Sequence, residues 1–153
     1  MEYAVYPDGC MRFTLGLNKR IRTEVCDYLI TDGNWHFVCT TYDSLTGAHQ
    51  IFLDDQPKYT GTSSQLVSYI ADTGTSFIIG QDVDDTQTDF HKKQAFVGDL
   101  ADLNVYHRIL TDAEVATIRT SCLSNGGSAI KWLDFKTTIA GGVSLDMPSN
   151  CTL

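Results

Sequence analysis

The sequence predicts an all-β fold, a β-sandwich that carries one short α-helix. Three observations support this prediction. Short segments alternate between apolar and polar residues with a period of two, clusters of Gly, Ser, Thr and Asp separate them, and one segment has the capping pattern of a helix. Many short strands with turn residues between them are typical of a sandwich. A chain of 153 residues suits one domain with its own core, so we expect residues 1–153 to form a single domain.

The strand pattern begins at residues 11–17, where apolar side chains alternate with polar or small ones. This alternation indicates a strand that is buried on one face. Residues 35–42 are aromatic and β-branched, and the turn Ser44–Gly47 separates them from a second strand at 49–53. The spacing of these two segments predicts a β-hairpin. Further short strands are predicted at 77–80, 95–97 and 101–106.

The helix is predicted at about residues 111–120. Thr111 and Glu114 have the spacing of a capping box, in which each side chain satisfies a backbone amide of the first turn. Leu110 and Val115 occupy the flanking positions that form a hydrophobic staple. The apolar face beyond them is narrow, so we expect a short helix that lies on a sheet.

Composition and charge exclude several classes of partner. The net charge is -8 and the pI about 4.7, so a nucleic-acid backbone would be repelled. No apolar run approaches the roughly 20 residues that would insert into a membrane. The start of the chain lacks the pattern of a signal peptide, and five cysteines are an odd number for a closed set of disulfides. An extracellular module cut from a longer precursor would explain both features.

An acidic segment raises the question of a bound cation. Residues 80–99 read GQDVDDTQTDFHKKQAFVGD. Four aspartates fall within eight residues of this segment, and they are Asp82, Asp84, Asp85 and Asp89. Carboxylates so close together repel one another. Two interpretations remain open, a solvated acidic loop and a loop that holds a cation.

The spacing of the acidic segment is compatible with calcium, although not with an EF-hand. The bidentate glutamate of an EF-hand would fall on Lys93. Asp82 and Asp84 are two residues apart, so in extended backbone their side chains share a face, with the carbonyl of Val83 between them. Gln94 could close such a loop with an amide oxygen, and calcium takes six to eight oxygens of these kinds.

Catalytic residues are not recognisable. The histidines lack the spacing of metal ligands, and they are His36, His49, His91 and His107. Three glutamates are present, one of which, Glu114, belongs to the helix cap. The ExDxxE pattern of sandwich-fold glucanases is absent, which disfavours an enzyme that cleaves glycans. We therefore expect a protein that is not an enzyme.

Three separate motifs, in order, resemble the pentraxin family. Residues 32–39 (DGNWHFVC) resemble the DGxWHxxC segment of pentraxin and laminin-G-like domains. Residues 80–82 and 94–99 resemble the pentraxin core motif, with the family spacing between Gly80 and Gly98. The tail is similar to pentraxin modules of mosaic matrix proteins with sushi and EGF repeats, and its matching residues are Cys122, 132–135, 141–143 and Cys151.

The resemblance implies a jelly-roll sandwich of two antiparallel sheets that works as a secreted, calcium-dependent binding module. It implies ligands that are anionic or zwitterionic: phosphate-bearing or phosphocholine-like molecules, or carbohydrates. An oligomer is possible. The alternative is a laminin-G-like module that binds an extracellular protein and has a structural or vestigial calcium loop. The opening strands of the family are missing from this chain, which indicates an N-terminally truncated domain.

The resemblance also implies a set of calcium ligands. The matching residues are Asp8, Asp82, Val83 (through its carbonyl), Asp84 and Gln94. Gly9 stands where the family usually supplies an amide side chain, so that oxygen is lost. His91 replaces a family carboxylate that belongs to a second ion. The second site is therefore in question unless Asp85 or Asp89 substitutes.

The cysteines allow several pairings. The matching tail implies a Cys122–Cys151 disulfide. The family partner of Cys39 lies in the missing strands, so Cys39 is either a buried thiol or part of another pair. Cys26 and Cys39 are symmetric about residues 32–33, and a two-residue hairpin there would place them opposite each other. The partner of Cys10 remains open.

Overall fold

A computed structural model describes residues 2–6, 8–15, 21–26, 28–68, 77–81, 92–121 and 126–145. The strands in these residues are β1 (Glu2–Val5), β2 (Cys10–Leu15), β3 (Ile21–Cys26), β4 (Val38–Tyr42), β5 (Ala48–Leu53) and β6 (Gln56–Thr62). The α-helix is α1 (Asp112–Arg119), and short 3-10 helices lie at Tyr28–Thr31, Ser64–Leu66, Lys92–Gln94 and Trp132–Thr137. No helix in the described part of the chain has the length and apolar character that a membrane crossing needs.

The strands form two three-stranded sheets, in the orders β1-β2-β3 and β4-β5-β6. The chain separates into two compact units, each of which contains one of the two sheets or most of it. The first unit comprises Met1–Gly33, Ser44–Gly47 and Thr62–Asp99, and the second comprises Asn34–Asp43, Ala48–Gly61 and Leu100–Leu153. Two antiparallel sheets with one helix confirm the predicted all-β class.

The sheet of the first unit is an antiparallel meander in which β2 is central. Met11 and Phe13 are only 2% and 1% exposed, whereas Arg12 and Thr14 between them are partly exposed. This alternation confirms the half-buried strand that the sequence predicts at this position. Because successive side chains of a strand point to opposite faces, Arg12 and Thr14 lie on the outer face of the sheet.

The hairpin of the second unit is also confirmed. Strands β4 and β5 pair from Val38 opposite Leu53 to Tyr42 opposite His49. The predicted start of the first strand at residue 35 is wrong, since β4 begins at Val38. The physical reason is that β5 ends at Leu53 and the chain turns at Asp54, whose φ is 55°. Leu53, the last residue of β5, is already paired with Val38, so β5 has no residue left to pair with residues 35–37.

The short strands predicted at 77–80, 95–97 and 101–106 are wrong. In the described residues, each of these segments forms at most one isolated β-bridge. Gln81, directly after the first segment, bridges Ala95 of the second, and Val105 of the third bridges Ile130. A strand needs consecutive paired residues. The backbone instead turns at Gly98, three residues after Ala95, and at Asp102, three residues before Val105, where φ is 152° and 53°. The strands β1, β3 and β6, by contrast, were not predicted.

The helix confirms its predicted capping box. The amide of Glu114 donates to Thr111 Oγ1 at 3.3 Å, and the amide of Thr111 donates to Glu114 Oε2 at 2.8 Å. Leu110 and Val115, the predicted staple, are both buried and pack in one cluster with Phe52 of β5. The helix is therefore fixed to the second unit by an apolar contact next to its cap.

The hypothesis of a Cys26–Cys39 disulfide is wrong, because Cys26 is bonded to Cys10. Residues 28–31 form a 3-10 turn, so no tight hairpin places Cys39 opposite Cys26. Cys10 and Cys26 are instead direct partners in the β2–β3 register. Cys39 is a free, half-buried thiol packed against the cluster around Phe52, which favours the thiol alternative over a second disulfide, and its partial burial raises its pKa to about 11.

The predicted Cys122–Cys151 disulfide lies outside the described residues.

Candidate functional site

The structure describes the two ends of the acidic loop, at residues 80–81 and 94–96, which we call the loop base. It does not describe the aspartates between them. Most predicted loop positions lie outside the described residues, and they are Asp82, Val83, Asp84, Asp85, Asp89 and His91. Of the predicted ligands, Gln94 and Asp8 are described. The site can therefore be built from the residues at both ends of the loop and from the turn that carries Asp8.

The base of the loop is closed by backbone pairing. Gln81 and Ala95 form an antiparallel bridge, and the amide of Phe96 donates to the carbonyl of Gly80 at 2.9 Å. Asp82 follows Gln81 directly in the sequence, and Gln94 directly precedes Ala95. The bridge therefore brings together the two ends of the segment that carries the predicted ligands, which a shared cation requires.

A buried oxygen lies at this base. Gln81 Oε1 is inaccessible to solvent and has no hydrogen-bond partner within the described part of the chain. A buried amide oxygen without a partner is unfavourable by about 1–3 kcal/mol. Amide oxygens are among the ligands that calcium takes, so an ion at the loop base would satisfy this atom. Sequence reasoning missed Gln81, although its position next to Asp82 was a signal.

Gln94 ends the 3-10 turn Lys92–Gln94, directly before the bridge. Its side chain is exposed, as are those of Lys92 and Lys93. The short turn fixes the backbone from which the amide extends. Gln94 therefore lies next to the loop base, and its role as a calcium ligand stays a prediction.

Asp8 lies in the tight turn that joins β1 to β2. The amide of Gly9 donates to the carbonyl of Tyr6 at 3.0 Å, and the amide of Tyr6 donates to the carbonyl of Cys10 at 2.9 Å. The amide of Cys10 donates to Asp8 Oδ1 at 3.1 Å, which orients the exposed carboxylate. Gly9 has a φ of 78°, a left-handed conformation that glycine adopts without strain. Asp8, Gln81 and Gln94 all belong to the first compact unit.

Another cluster of potential metal ligands is not a site. Cys10, Glu24 and Cys26 place their ligand atoms within 4.8 Å of one another, the one such group of three found among the described residues. The two sulfurs are bonded to each other, so they do not offer thiolates to a metal. Glu24 instead accepts from Arg12 Nε at 2.7 Å.

Two of the described histidines, His36 and His49, make contacts within the second unit. His36 Nδ1 lies 3.0 Å from Asp54 Oδ2, and Asp54 Oδ1 accepts from the amide of Phe37 at 3.0 Å. His49 is buried and its ring centroid is 5.3 Å from that of Tyr59. These contacts hold the second sheet and the segment before it.

The family model described as the Pentaxin family matches residues 2–147 of this chain. The chain therefore belongs to the pentaxin, or pentraxin, family, as its motifs predicted. The family and the two antiparallel sheets together define the fold as the predicted jelly-roll sandwich.

Among known proteins, neuronal pentraxin-2 of Cavia porcellus is 32% identical over 115 residues, which cover 75% of this chain and 27% of that protein. The sushi, von Willebrand factor type A, EGF and pentraxin domain-containing protein 1 of Rattus norvegicus is 29% identical over 122 residues, which cover 78% of this chain and 3% of that protein. This chain thus spans about a quarter, or less, of the length of these relatives.

A solved structure of an S-layer domain-containing protein from Clostridium thermocellum covers 72% of this chain and 52% of that one. At 16% identity and a TM-score of 0.43, it is too dissimilar to bear on fold or function.

Proposed function

We propose that this chain is a secreted, calcium-dependent binding module for ligands that carry phosphate, phosphocholine-like groups or carbohydrate. The observation that carries the proposal is the closed base of the acidic loop, beside which lies the buried side-chain oxygen of Gln81, without a hydrogen-bond partner among the described residues. Membership of the pentraxin family supports the same function.

The calcium ion would be held by oxygens from the loop and from the β1–β2 turn. The ligands that the family resemblance implies are Asp8, Asp82, the carbonyl of Val83, Asp84 and Gln94. To these we add the side-chain oxygen of Gln81, which is buried at the loop base. Asp8 Oδ1 already accepts a hydrogen bond from the amide of Cys10, so Oδ2 is the oxygen that we assign to the ion. Bound calcium would supply positive charge and open coordination positions to ligand oxygens.

The overall charge of the chain makes this dependence on calcium strict. At a net charge of -8, the calcium-free protein repels anions. Attraction of a phosphate or an acidic glycan therefore depends on the ion. A second ion would be held more weakly, since His91 stands where the family has a carboxylate and calcium affinity rises with ligand charge. Asp85 and Asp89 are the substitutes that would strengthen it.

A calcium titration followed by thermal melting tests the proposal. At one hundred times Kd, a ligand that binds only the folded state stabilises it by about 2.7 kcal/mol. For a chain of this length we expect a rise in Tm of roughly 5–10 °C. Asp84→Asn should remove most of the rise. Asp99→Asn removes the same charge from an exposed residue just beyond the loop and should leave it unchanged.

Retention on immobilised phosphocholine, with and without a calcium chelator, tests the ligand class. The proposal is refuted if millimolar calcium raises Tm no more than magnesium does. A calcium-dependent melt without retention on phosphocholine or on a panel of acidic glycans would favour the alternative, a protein-interaction module with a structural calcium loop. Phe96 and Val97, exposed and apolar directly after the loop base, are an observation on the side of that alternative.

A further inference from the structure

The β1–β2 turn is held from both of its ends by side chains of the neighbouring strands. At its first residue, the guanidinium of Arg12 lies 4.0 Å from the ring centroid of Tyr6, and Arg12 is in turn ion-paired with Glu24 of β3. At its last residue, Cys10 is bonded to Cys26 of β3. The ion pair and the disulfide therefore both connect the turn to β3.

The disulfide acts on the residue that orients Asp8. The amide of Cys10 donates to Asp8 Oδ1, and the carbonyl of Cys10 accepts from the amide of Tyr6. Cys10 is buried, although it is the first residue of β2, where a strand end would ordinarily fray. Because β1 is an edge strand of four residues, it gives the turn little support of its own. The bond to β3 therefore fixes the peptide on which the Asp8 carboxylate rests.

We propose that the Cys10–Cys26 disulfide is a positioning element for calcium, which holds the carboxylate of Asp8 in place before the ion binds. This inference rests on the proposed calcium site and adds to it a pair of residues that do not touch the ion. Its physical basis is preorganisation, since a ligand that is already ordered loses less entropy on binding.

The experiment compares calcium affinities, measured by isothermal titration calorimetry, in a double-mutant cycle. The single changes are Asp8→Asn and the paired change Cys10→Ser with Cys26→Ser. We expect the serine pair to raise the Kd for calcium about tenfold, which is about 1.4 kcal/mol and in the range for ordering one residue of backbone. In the Asp8→Asn background the serine pair should have little further effect, because the carboxylate through which it acts is gone.

A control variant and a hydrogen-exchange measurement separate positioning from general stability, and peptide mapping checks the disulfide itself. Cys39→Ser places a hydroxyl against the apolar cluster around Phe52 in the second unit. This change should lower Tm and leave the Kd for calcium unchanged. Hydrogen exchange of the residue 10 amide in calcium-free protein should be faster in the serine pair than in the wild type. Peptide mapping without reductant should recover Cys10 and Cys26 joined.

The outcomes distinguish this inference from the function on which it rests. Equal weakening by the serine pair in both backgrounds, or no weakening in either, overturns the positioning role and leaves the calcium site standing. A wild type that does not bind calcium overturns the proposed function and the inference with it. Free thiols at Cys10 and Cys26 in the secreted protein overturn the inference alone.

Discussion

At the scale of single residues, Gln81 matters because its buried oxygen lies next to the predicted calcium ligands. Its side-chain oxygen is buried beside the loop base and has no partner in the described part of the chain. In a calcium-free protein such an oxygen is a local destabilisation, which an ion or a donor from the loop would relieve.

The change Gln81→Leu tests which of these partners is present. If the oxygen meets calcium, the variant should be more stable than the wild type without calcium by about 1 kcal/mol, or roughly 2–4 °C in Tm. The calcium-induced rise in Tm should also shrink. Thermal melts with calcium and with chelator measure both effects. A lower Tm in chelator would mean that a loop donor already satisfies Gln81.

Cys39 offers a second residue-scale prediction, in the alkaline range. Burial raises the pKa of its thiol from 9.0 to about 11, so the folded state resists deprotonation. The stabilisation is fully present below pH 9 and is lost as the pH rises through 11. We expect the free energy of unfolding to decline less over this range in Cys39→Ala than in the wild type, as measured by urea unfolding at each pH. Parallel declines would show that the thiolate is not excluded from the fold.

At the scale of secondary-structure elements, α1 depends on its cap. The helix has eight residues, which is too short to be stable without tertiary contacts. The capping box satisfies two first-turn amides, and the Arg108 guanidinium and the Thr111 amide lower the pKa of Glu114 to about 2. The stability that Glu114 contributes is therefore present above its ordinary pKa of 4.5 and is lost as the pH falls toward 2.

Thr111→Ala should destabilise the protein by about 1 kcal/mol, because it removes the side-chain acceptor of the cap. Thr117→Ala is the matched control. Thr117 is exposed on the same helix and its hydroxyl donates to the carbonyl of Ala113 at 2.8 Å, a contact that gives the helix no net support. Urea unfolding at pH 7 should separate the two variants. Equal effects would contradict a specific role for the cap.

The elements that could be predicted are those whose signal is local. The alternation of β2, the turn between β4 and β5, and the spacing of Thr111 and Glu114 each act within a few residues, and all three predictions are confirmed. The predicted strand at 101–106 failed because its partner, Ile130, lies far along the chain and offers a single rung. β6 was missed because Pro57 and Gly61 disfavour a strand, although an edge position tolerates them.

The candidate site stays a prediction, because most of its residues lie outside the described part of the chain. Of the predicted ligands, the structure describes Gln94, which directly precedes the Gln81–Ala95 bridge, and Asp8, which lies in the β1–β2 turn. The sequence did not reveal that Cys10 pairs with Cys26, because that pairing depends on the register of β2 against β3. A one-residue shift would have moved the two sulfurs to opposite faces of the sheet.

At the scale of the whole molecule, the proposed calcium positions, one strong and one weak, would give weak binding by a single copy. Fusion of the chain to a dimerising partner should raise the apparent affinity for a phosphocholine-coated surface by at least tenfold, since the second contact becomes intramolecular. Surface plasmon resonance of the monomeric and fused forms measures this. An equal apparent affinity would indicate that a single copy already binds the surface with full affinity.

That residues 1–153 form one domain stays a prediction.

The burial of Cys39 has a consequence for biosynthesis. In an oxidising compartment the nearby pair, Cys10 and Cys26, is separated by only 16 residues and can close early. Cys39 would then have to be withdrawn from oxidants by packing against Phe52, Leu110 and Val115. If the chain is secreted, as we propose, failure of the cluster around Phe52 to assemble would expose a reactive sulfur, which could form a mixed disulfide with thiol proteins of the secretory pathway. The same thiol that is inert in the finished protein would thus mark an unfinished one for retention.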